Sequence, residues 1–290
     1  MNGEIASDNI FMPEAANKFV CGSSWGWLVL EGTDSRQVSL LNPFTRRVIR
    51  LPSLDTFTCE PDVPVKGFNY IHKAILSTNP TISEKDCIIL AIVGRKRKLS
   101  YCKIGDKKWR NIDCCFGKFC DVIYYNGKCY AITDYGYLVS CDLIDTNFTK
   151  TIFLAPPIDS LYPRRKHLVM ASGRLLLLYK TRNDRFKFHL LNKCSPSALN
   201  HEWQYNWVEK NSIGDQLLFI GNNGSFSLPA QSNSSRANCI YFTENAFGWV
   251  ESNHDDNRSF GMYDIAKEKF NNGEARNEVF RSFWMIPSPW

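Results

Sequence analysis

The sequence predicts an all-β protein, and more specifically a β-propeller of about five to six mostly four-stranded blades. Three observations lead to this prediction. Helix signals are nearly absent, since no stretch of a dozen residues places apolar side chains at helical spacing beside a cap. Short β-rich runs alternate with turn residues along the chain. Hairpin-like units also recur at intervals typical of propeller blades.

The recurring unit is an apolar run, a small polar turn containing glycine, and a second apolar run. Its clearest turn is Asn126-Gly127, the preferred pair for a type I′ hairpin. The turn glycines are spaced by 101, 46 and 51 residues, so one further unit is expected within the first interval, over Tyr70–Ile112. The four visible hairpins are Phe19–Leu30 (turn at Gly26), Asp121–Thr133 (Gly127), His167–Tyr179 (Ser172-Gly173) and Gln216–Leu228 (Asn222 to Gly224).

Each unit also ends in an extended segment, a polar turn and an outer strand. A single blade cannot bury both of its faces, so a ring of sheets packed face to face is the physical solution. Trp109 and Trp207 lie near unit ends, where we expect them to pack between blades. We assign residues 1–18 to a flexible N-terminal segment and residues 19–290 to one propeller domain; an irregular β-sandwich is the alternative.

Composition indicates an ordinary globular chain, with 44% hydrophobic and 22% charged residues. The N-terminus lacks the basic and apolar regions of a secretory signal, and no apolar run reaches membrane-spanning length. We therefore expect a soluble protein, cytoplasmic or nuclear, without membrane contact. In a reducing compartment the eleven cysteines are expected to be thiols, with Cys87, Cys129 and Cys239 acting as small hydrophobes in strands.

The net charge of +6 is spread along the chain, so nucleic acid is not the expected partner. Arg95–Lys98 lies between two apolar runs and is interpreted as a solvated hairpin tip. Arg164–Lys166 opens a strand, where the charges also discourage edge pairing. A nuclear nucleic-acid binder remains a third alternative, which requires these basic runs to gather on one face.

Patterns that suggest chemistry lack their structural context, so we assign no catalytic, cofactor-binding or metal residue and expect no cofactor. Gly22–Gly26 matches the G-x-S-x-G pattern of a hydrolase nucleophile elbow around Ser24, but a β-rich run follows where a helix is needed. The weaker patterns are the cysteine group Cys114, Cys115, Cys120 and Cys129, the scattered histidines 72, 167, 189, 201 and 254, the pair His201-Glu202, and Asp255-Asp256-Asn257.

Three segments together resemble the plant F-box-associated β-propeller family of the KIB type: Cys21–Leu54 with its phrase LLNPFT, Gly214–Asp264, and the terminal FWMIPSPW. The resemblance implies a propeller that recognises the substrate of a cullin-type ubiquitin ligase, not an enzyme. An F-box, which binds a Skp-type adaptor, needs more than the roughly 20 residues before the first strand, so adaptor binding is not expected from this sequence. The alternatives are an orphan scaffold or an enzyme built from dispersed loops.

The residues that contact a partner are not identified by any motif. Loops on a rigid scaffold commonly carry binding function, and two segments are long and polar enough for this role. We expect partner contacts from Ala155–Lys166 and Glu244–Ser259.

Overall fold

The computed structural model describes residues 11–57, 69–113, 117–142, 151–158, 165–181, 185–194, 203–230, 237–243, 260–272 and 283–286. Their strands form five separate sheets, four with four strands and one with five, which confirms the predicted propeller. In chain order the strands are β1 (Lys18–Ser24), β2 (Trp27–Gly32), β3 (Val38–Leu41), β4 (Val48–Leu51), β5 (Ile71–Leu76), β6 (Ile88–Val93), β7 (Lys98–Lys103), β8 (Arg110–Asn111), β9 (Phe119–Tyr125), β10 (Lys128–Thr133), β11 (Leu138–Asp142), β12 (Ile152–Ala155), β13 (Lys166–Ala171), β14 (Arg174–Lys180), β15 (Phe186–Lys193), β16 (Tyr205–Lys210), β17 (Gln216–Ile220), β18 (Ser225–Pro229), β19 (Cys239–Thr243), β20 (Phe260–Asp264) and β21 (Lys269–Asn272).

The first two strands of blades one, three and four are joined by equivalent two-residue turns. Asn126 and Gly127 both have positive φ, 47° and 78°, as the type I′ turn requires. Ser172-Gly173 and Trp25-Gly26 adopt the same combination of positive φ angles. The predicted equivalence of these turn glycines is therefore confirmed.

The unit hidden between Gly26 and Gly127 is the second blade, β5–β8, whose four strands pair in chain order as predicted. Its first two strands are joined by residues 77–87 instead of a short glycine turn, which explains why the glycine spacing skipped it. Arg95, Lys96 and Arg97 lie in the turn between β6 and β7, and Lys98 begins β7. The expected solvated hairpin tip is confirmed for Arg95 and Lys96, which are exposed, but not for Arg97, which is half-buried.

The fifth blade departs from the expected order. Its sheet runs β18-β17-β19-β20-β21, and β17 pairs with β19 in parallel. The Gln216–Leu228 hairpin forms, but its second strand, β18, lies at the edge of the sheet and not between β17 and β19. There it contacts β13 of the fourth blade. Gly224 is thus not at a position equivalent to the other turn glycines. In the other four blades the second strand of the blade lies between the first and the third, whereas in the fifth blade β18 lies on one side of β17 and β19 lies on the other.

The core lies between neighbouring blades. Trp109 is buried between the first and second blades, where its ring stacks on Phe57 at 4.7 Å and its indole N–H donates to the Pro52 carbonyl. Trp207 packs against the apolar cluster of the third and fourth blades. Cys87, Cys129 and Cys239 are buried with the strand residues around them, as the sequence suggested.

The first strands of blades one to four contact one another in sequence and thereby surround a central channel. The ring closes where the Ser23 N–H donates to the Asn223 carbonyl at 3.1 Å, which joins the first blade to the fifth. Trp284 reinforces this junction: its carbonyl accepts from the Ser23 hydroxyl, and its indole N–H donates to Ile220. Among the described residues, no helix has the length and apolar character needed to cross a membrane.

Candidate functional site

A cavity of about 380 Å³ occupies the end of the channel at which the first strands of blades one to four begin. We call it the channel mouth. Its lining combines residues from all five blades, so no single segment of the sequence forms it. The residues are Phe19, Val20, Asn69, His72, Lys73, Arg97, Phe119, Cys120, Asp121, Arg165, Lys166, His167, Asn222, Asn223, Thr243 and Phe283.

Asp121, at the start of β9, is a buried carboxylate that connects three blades. It forms an ion pair with Lys73 of the second blade, and both side chains are about 95% or more buried. Its second oxygen accepts from the Leu168 N–H of the fourth blade at 2.8 Å, and His167 Nδ1 lies 3.8 Å from the same oxygen. The charge of Asp121 is thus committed to holding the inner strands together.

Two arginines reach the same cavity from different blades. Arg97 comes from the turn between β6 and β7, and Arg165 directly precedes β13. The guanidinium of Arg165 donates to the Asn222 side chain at 2.7 Å. Burial lowers the pKa of Arg165, and the positive charge of Arg97 lowers it further. Both guanidinium groups therefore bring positive charge to the same cavity.

Lys166 adds a third cation from the first position of β13. Its ammonium donates to the Asp134 carbonyl at 2.6 Å, and burial lowers its pKa. Thr243 lies on the neighbouring fifth blade, and its buried hydroxyl has no hydrogen-bond partner within the part of the chain that the structure describes. The channel mouth therefore combines several cationic groups with a buried threonine hydroxyl that has no hydrogen-bond partner among the described residues.

The chemistry of the mouth favours binding over nucleophilic catalysis. Cys120 lines it, but burial raises the pKa of this thiol, whereas a nucleophilic cysteine needs a lowered one. Burial also lowers the pKa of His72, whose Nε2–H donates to the Gly94 carbonyl at 2.8 Å. His167 faces Asp121, and that carboxylate is already bound by Lys73 and backbone N–H groups.

Three exposed apolar side chains lie on turns and connections of the first two blades, and a fourth lies on the segment before β1. Trp25, Phe44 and Ile82 are 51%, 43% and 79% exposed, and Phe11 is 82% exposed. We call these four residues the apolar rim.

Polar contacts hold the segments of the apolar rim to one another. The Trp25 indole N–H donates to the Leu76 carbonyl, next to the 77–87 connection that carries Ile82. Arg46 donates to the Phe11 carbonyl, and Arg47 forms an ion pair with Glu84 of the same connection. The rim is therefore part of a connected surface and not a set of separate loop tips.

The structure tests several motifs of the sequence directly. Gly22–Gly26 ends β1 and turns into β2, so the turn interpretation of this segment is confirmed, and Ser24 Oγ accepts from the Leu76 N–H. Glu244–Ser259, Cys114, Cys115, His201, His254 and Asp255-Asp256-Asn257 lie outside the described residues, as do residues 159–164 of the expected contact loop. Within the described ranges, no three His, Cys, Asp or Glu residues form a group suited to a metal.

Residues from both basic runs, Arg95–Lys98 and Arg164–Lys166, come together at the channel mouth. The sequence alone did not decide whether they would. Arg97 of the first run and Arg165 and Lys166 of the second line the channel mouth, while Arg95 stays on the surface. Their meeting place is a cavity and not an open groove of the kind that follows a nucleic-acid backbone.

The fold is a β-propeller with a cavity at its axis. Comparison with family models makes the assignment specific: residues 4–264 match the KIB1-4 β-propeller, and the chain belongs to that family. This confirms the resemblance found in the sequence.

The similar curated proteins are F-box proteins of Arabidopsis thaliana. The putative F-box protein At5g55150 is 24% identical over 93% of this chain and 74% of its own length. The F-box protein SKIP23 is 22% identical over 92% of this chain and 74% of its own length. Among solved structures, the β-propeller domain of Myceliophteria thermophila Cps50 (Swd1) has a TM-score of 0.38 at 10% identity, covering 89% of this chain and 85% of that one.

Proposed function

We propose that this chain recognises a partner protein and that its lineage is that of substrate-recognition modules in cullin-type ubiquitin ligases. The observation that carries the proposal is the family match over residues 4–264, together with F-box relatives aligned over more than nine-tenths of the chain. The proposed role is binding, without catalysis of its own. The raised pKa of the Cys120 thiol and the commitment of Asp121 to structural contacts support this choice.

The apolar rim is the proposed contact surface for a protein partner. Aromatic side chains such as Trp25 and Phe44 bury much area at small entropic cost, and they are enriched at the centres of protein interfaces. Arg46 and Arg47 beside them supply the polar border that such interfaces have. The connection 77–87 adds Ile82 from the next blade, so the surface spans two blades.

The experiment is affinity capture from plant nuclear and cytoplasmic extracts with quantitative mass spectrometry. The full chain is compared with Trp25→Ser/Phe44→Ser/Ile82→Ser. The matched control is Tyr135→Ser/Ile152→Ser/Leu228→Ser, which removes three other exposed apolar side chains, 70%, 54% and 40% exposed. Far-UV circular dichroism and unfolding midpoints establish that all three proteins are folded.

We expect a set of proteins captured by the wild type and the control but reduced at least about tenfold by the rim variant, as for loss of interface anchors. Equal capture by both variants would place recognition away from the rim. The ligase role is tested separately by following the captured protein in plant cells. Depleting this chain should lengthen the half-life of its partner, and an unchanged half-life would favour an orphan scaffold.

A further inference from the structure

We propose that the channel mouth is a binding site for a small phosphate-bearing anion, held by the guanidinium groups of Arg97 and Arg165. This inference does not depend on the protein partner proposed above. It follows from the charge of the cavity, from the residue types that supply that charge, and from the size of the space between them.

The charge of the lining is strongly unbalanced. Among the described residues that form it are four Lys or Arg side chains and one carboxylate, Asp121. That carboxylate is paired with Lys73 and bound by two backbone N–H groups. No described carboxylate forms an ion pair with Arg97. Cations held together in a partly buried space repel one another, and an anion is the group that offsets this cost.

The residue types suit a phosphate group. An arginine fork donates two parallel hydrogen bonds to phosphate oxygens, and two forks from different blades can approach a tetrahedral group from different sides. Arg165 is fixed by its bond to Asn222. A cavity of about 380 Å³ is also within the range of small-molecule sites.

The backbone places Arg97 where the proposal requires it. Arg97 has a φ of 47°, a left-handed conformation that is unfavourable for a side chain of this size. Its N–H donates to Gly94 at 3.0 Å, and its carbonyl accepts from Phe119 of the third blade at 3.1 Å. Both bonds pin the residue at the edge of the channel, whereas Arg95 of the same turn remains exposed.

The test measures binding of sodium pyrophosphate to the full chain by isothermal titration calorimetry at a fixed ionic strength of about 0.15 M, so that general screening is constant. The variants are Arg97→Gln and Arg165→Gln, with Arg95→Gln as the matched control from the same turn. A capped phosphoserine peptide and its unphosphorylated form are titrated in parallel.

We expect pyrophosphate to bind the wild type and Arg95→Gln within about twofold of each other, and each of the other two variants to lose at least about tenfold in affinity. Binding of pyrophosphate alone identifies a free phosphorylated small molecule as the ligand. Additional binding of the phosphopeptide, but not its unphosphorylated form, identifies a phosphorylated side chain. No pyrophosphate binding at millimolar concentration, or equal losses in all three variants, would overturn the proposal.

A second measurement needs no variant of the two arginines. His72 lies in the same cavity, and the positive charges of Arg97 and Arg165 contribute to lowering its pKa. A bound anion would offset these charges, so the pKa of His72 followed by NMR should rise when pyrophosphate is added. An unchanged titration at saturating pyrophosphate would also overturn the proposal.

Discussion

Replacing Asp121 with asparagine should strongly destabilise the ring, because this carboxylate connects the second, third and fourth blades at the channel. The substitution keeps the size of the side chain but removes its charge. Lys73 would then be a buried ammonium without its counter-charge, since its side chain is 5% exposed. One of the two oxygens that now accept from Val122 and Leu168 would become an NH₂ group, which cannot accept a hydrogen bond.

The size of the effect follows from these contacts. Breaking a buried ion pair by removing one partner costs about 3–5 kcal/mol. For a chain of 290 residues, that loss corresponds to a fall of about 5–8 °C in the thermal midpoint. Glu209→Gln provides the matched control because it makes the same chemical change in the exposed Lys187–Glu209 pair, which should contribute less than about 1 kcal/mol.

The assay is urea unfolding followed by tryptophan fluorescence and circular dichroism on Asp121→Asn, Lys73→Met and the double variant. Lys73→Met leaves the carboxylate with its two backbone donors, so we expect a smaller loss. The double variant should be no less stable than Asp121→Asn, because it removes the uncompensated ammonium. A loss below about 1 kcal/mol for Asp121→Asn, or strictly additive losses in the double variant, would show that the buried ion pair does not hold the blades together.

Three further predictions concern the packing of the ring. Gly22→Ala should lower the free energy of unfolding by several kcal/mol, because a Cβ at this position would lie 1.9 Å from the Ala74 carbonyl oxygen of the next blade. Gly105→Ala is the matched control: a Cβ there would have no atom within 4 Å, so chemical denaturation should show a loss of only about 1 kcal/mol from the positive φ. Trp284→Ala should cost about 2–3 kcal/mol, less than truncation of a fully buried tryptophan, because the half-buried ring packs on Phe219 at the closure. It should also increase hydrogen exchange at Ser23, whose N–H donates across the closure to the Asn223 carbonyl. Stability should also fall as pH rises above about 9, because unfolded cysteines ionise there, whereas burial raises the pKa of Cys87 to about 12 and those of Cys21 and Cys102 well above 9.

Different results would contradict each of these predictions. Equal effects of the two glycine substitutions would show that the close approach of the first two blades is not rigid. Unchanged exchange at Ser23 in Trp284→Ala would show that the ring closes by other contacts. Stability that is constant between pH 8 and pH 11 would show that the Cys87 thiol is not protected from ionisation in the folded state.

Local turn chemistry made much of the ring predictable from the sequence. A type I′ turn requires two residues with positive φ, so Asn126-Gly127 and Ser172-Gly173 indicated hairpins wherever strands were joined tightly. The second blade was predicted from its pattern of apolar strands, because its first two strands are joined by residues 77–87 and not by a two-residue turn. The fifth blade could not be predicted, since the parallel pairing of β17 with β19 depends on packing and not on local residue preference.

The channel mouth was not predicted because it is assembled from separate blades. The sequence did contain a signal: polar residues stand at the start of three inner strands, as His72-Lys73, Asp121 and Lys166-His167. In isolation each looks like the ordinary polar end of a strand. Only the closed ring brings these positions to one end of the axis. Only in the folded structure does Arg97 line the cavity while Arg95 of the same turn stays exposed.

Hydrogen–deuterium exchange of the full chain with and without its captured partner would show directly whether the propeller recognises a protein through the apolar rim. Backbone amides that become covered at an interface exchange more slowly. We expect partner-dependent protection at Trp25, in the turn containing Phe44 and in the 77–87 connection. Protection that is absent from all three segments and present elsewhere would contradict recognition through the apolar rim.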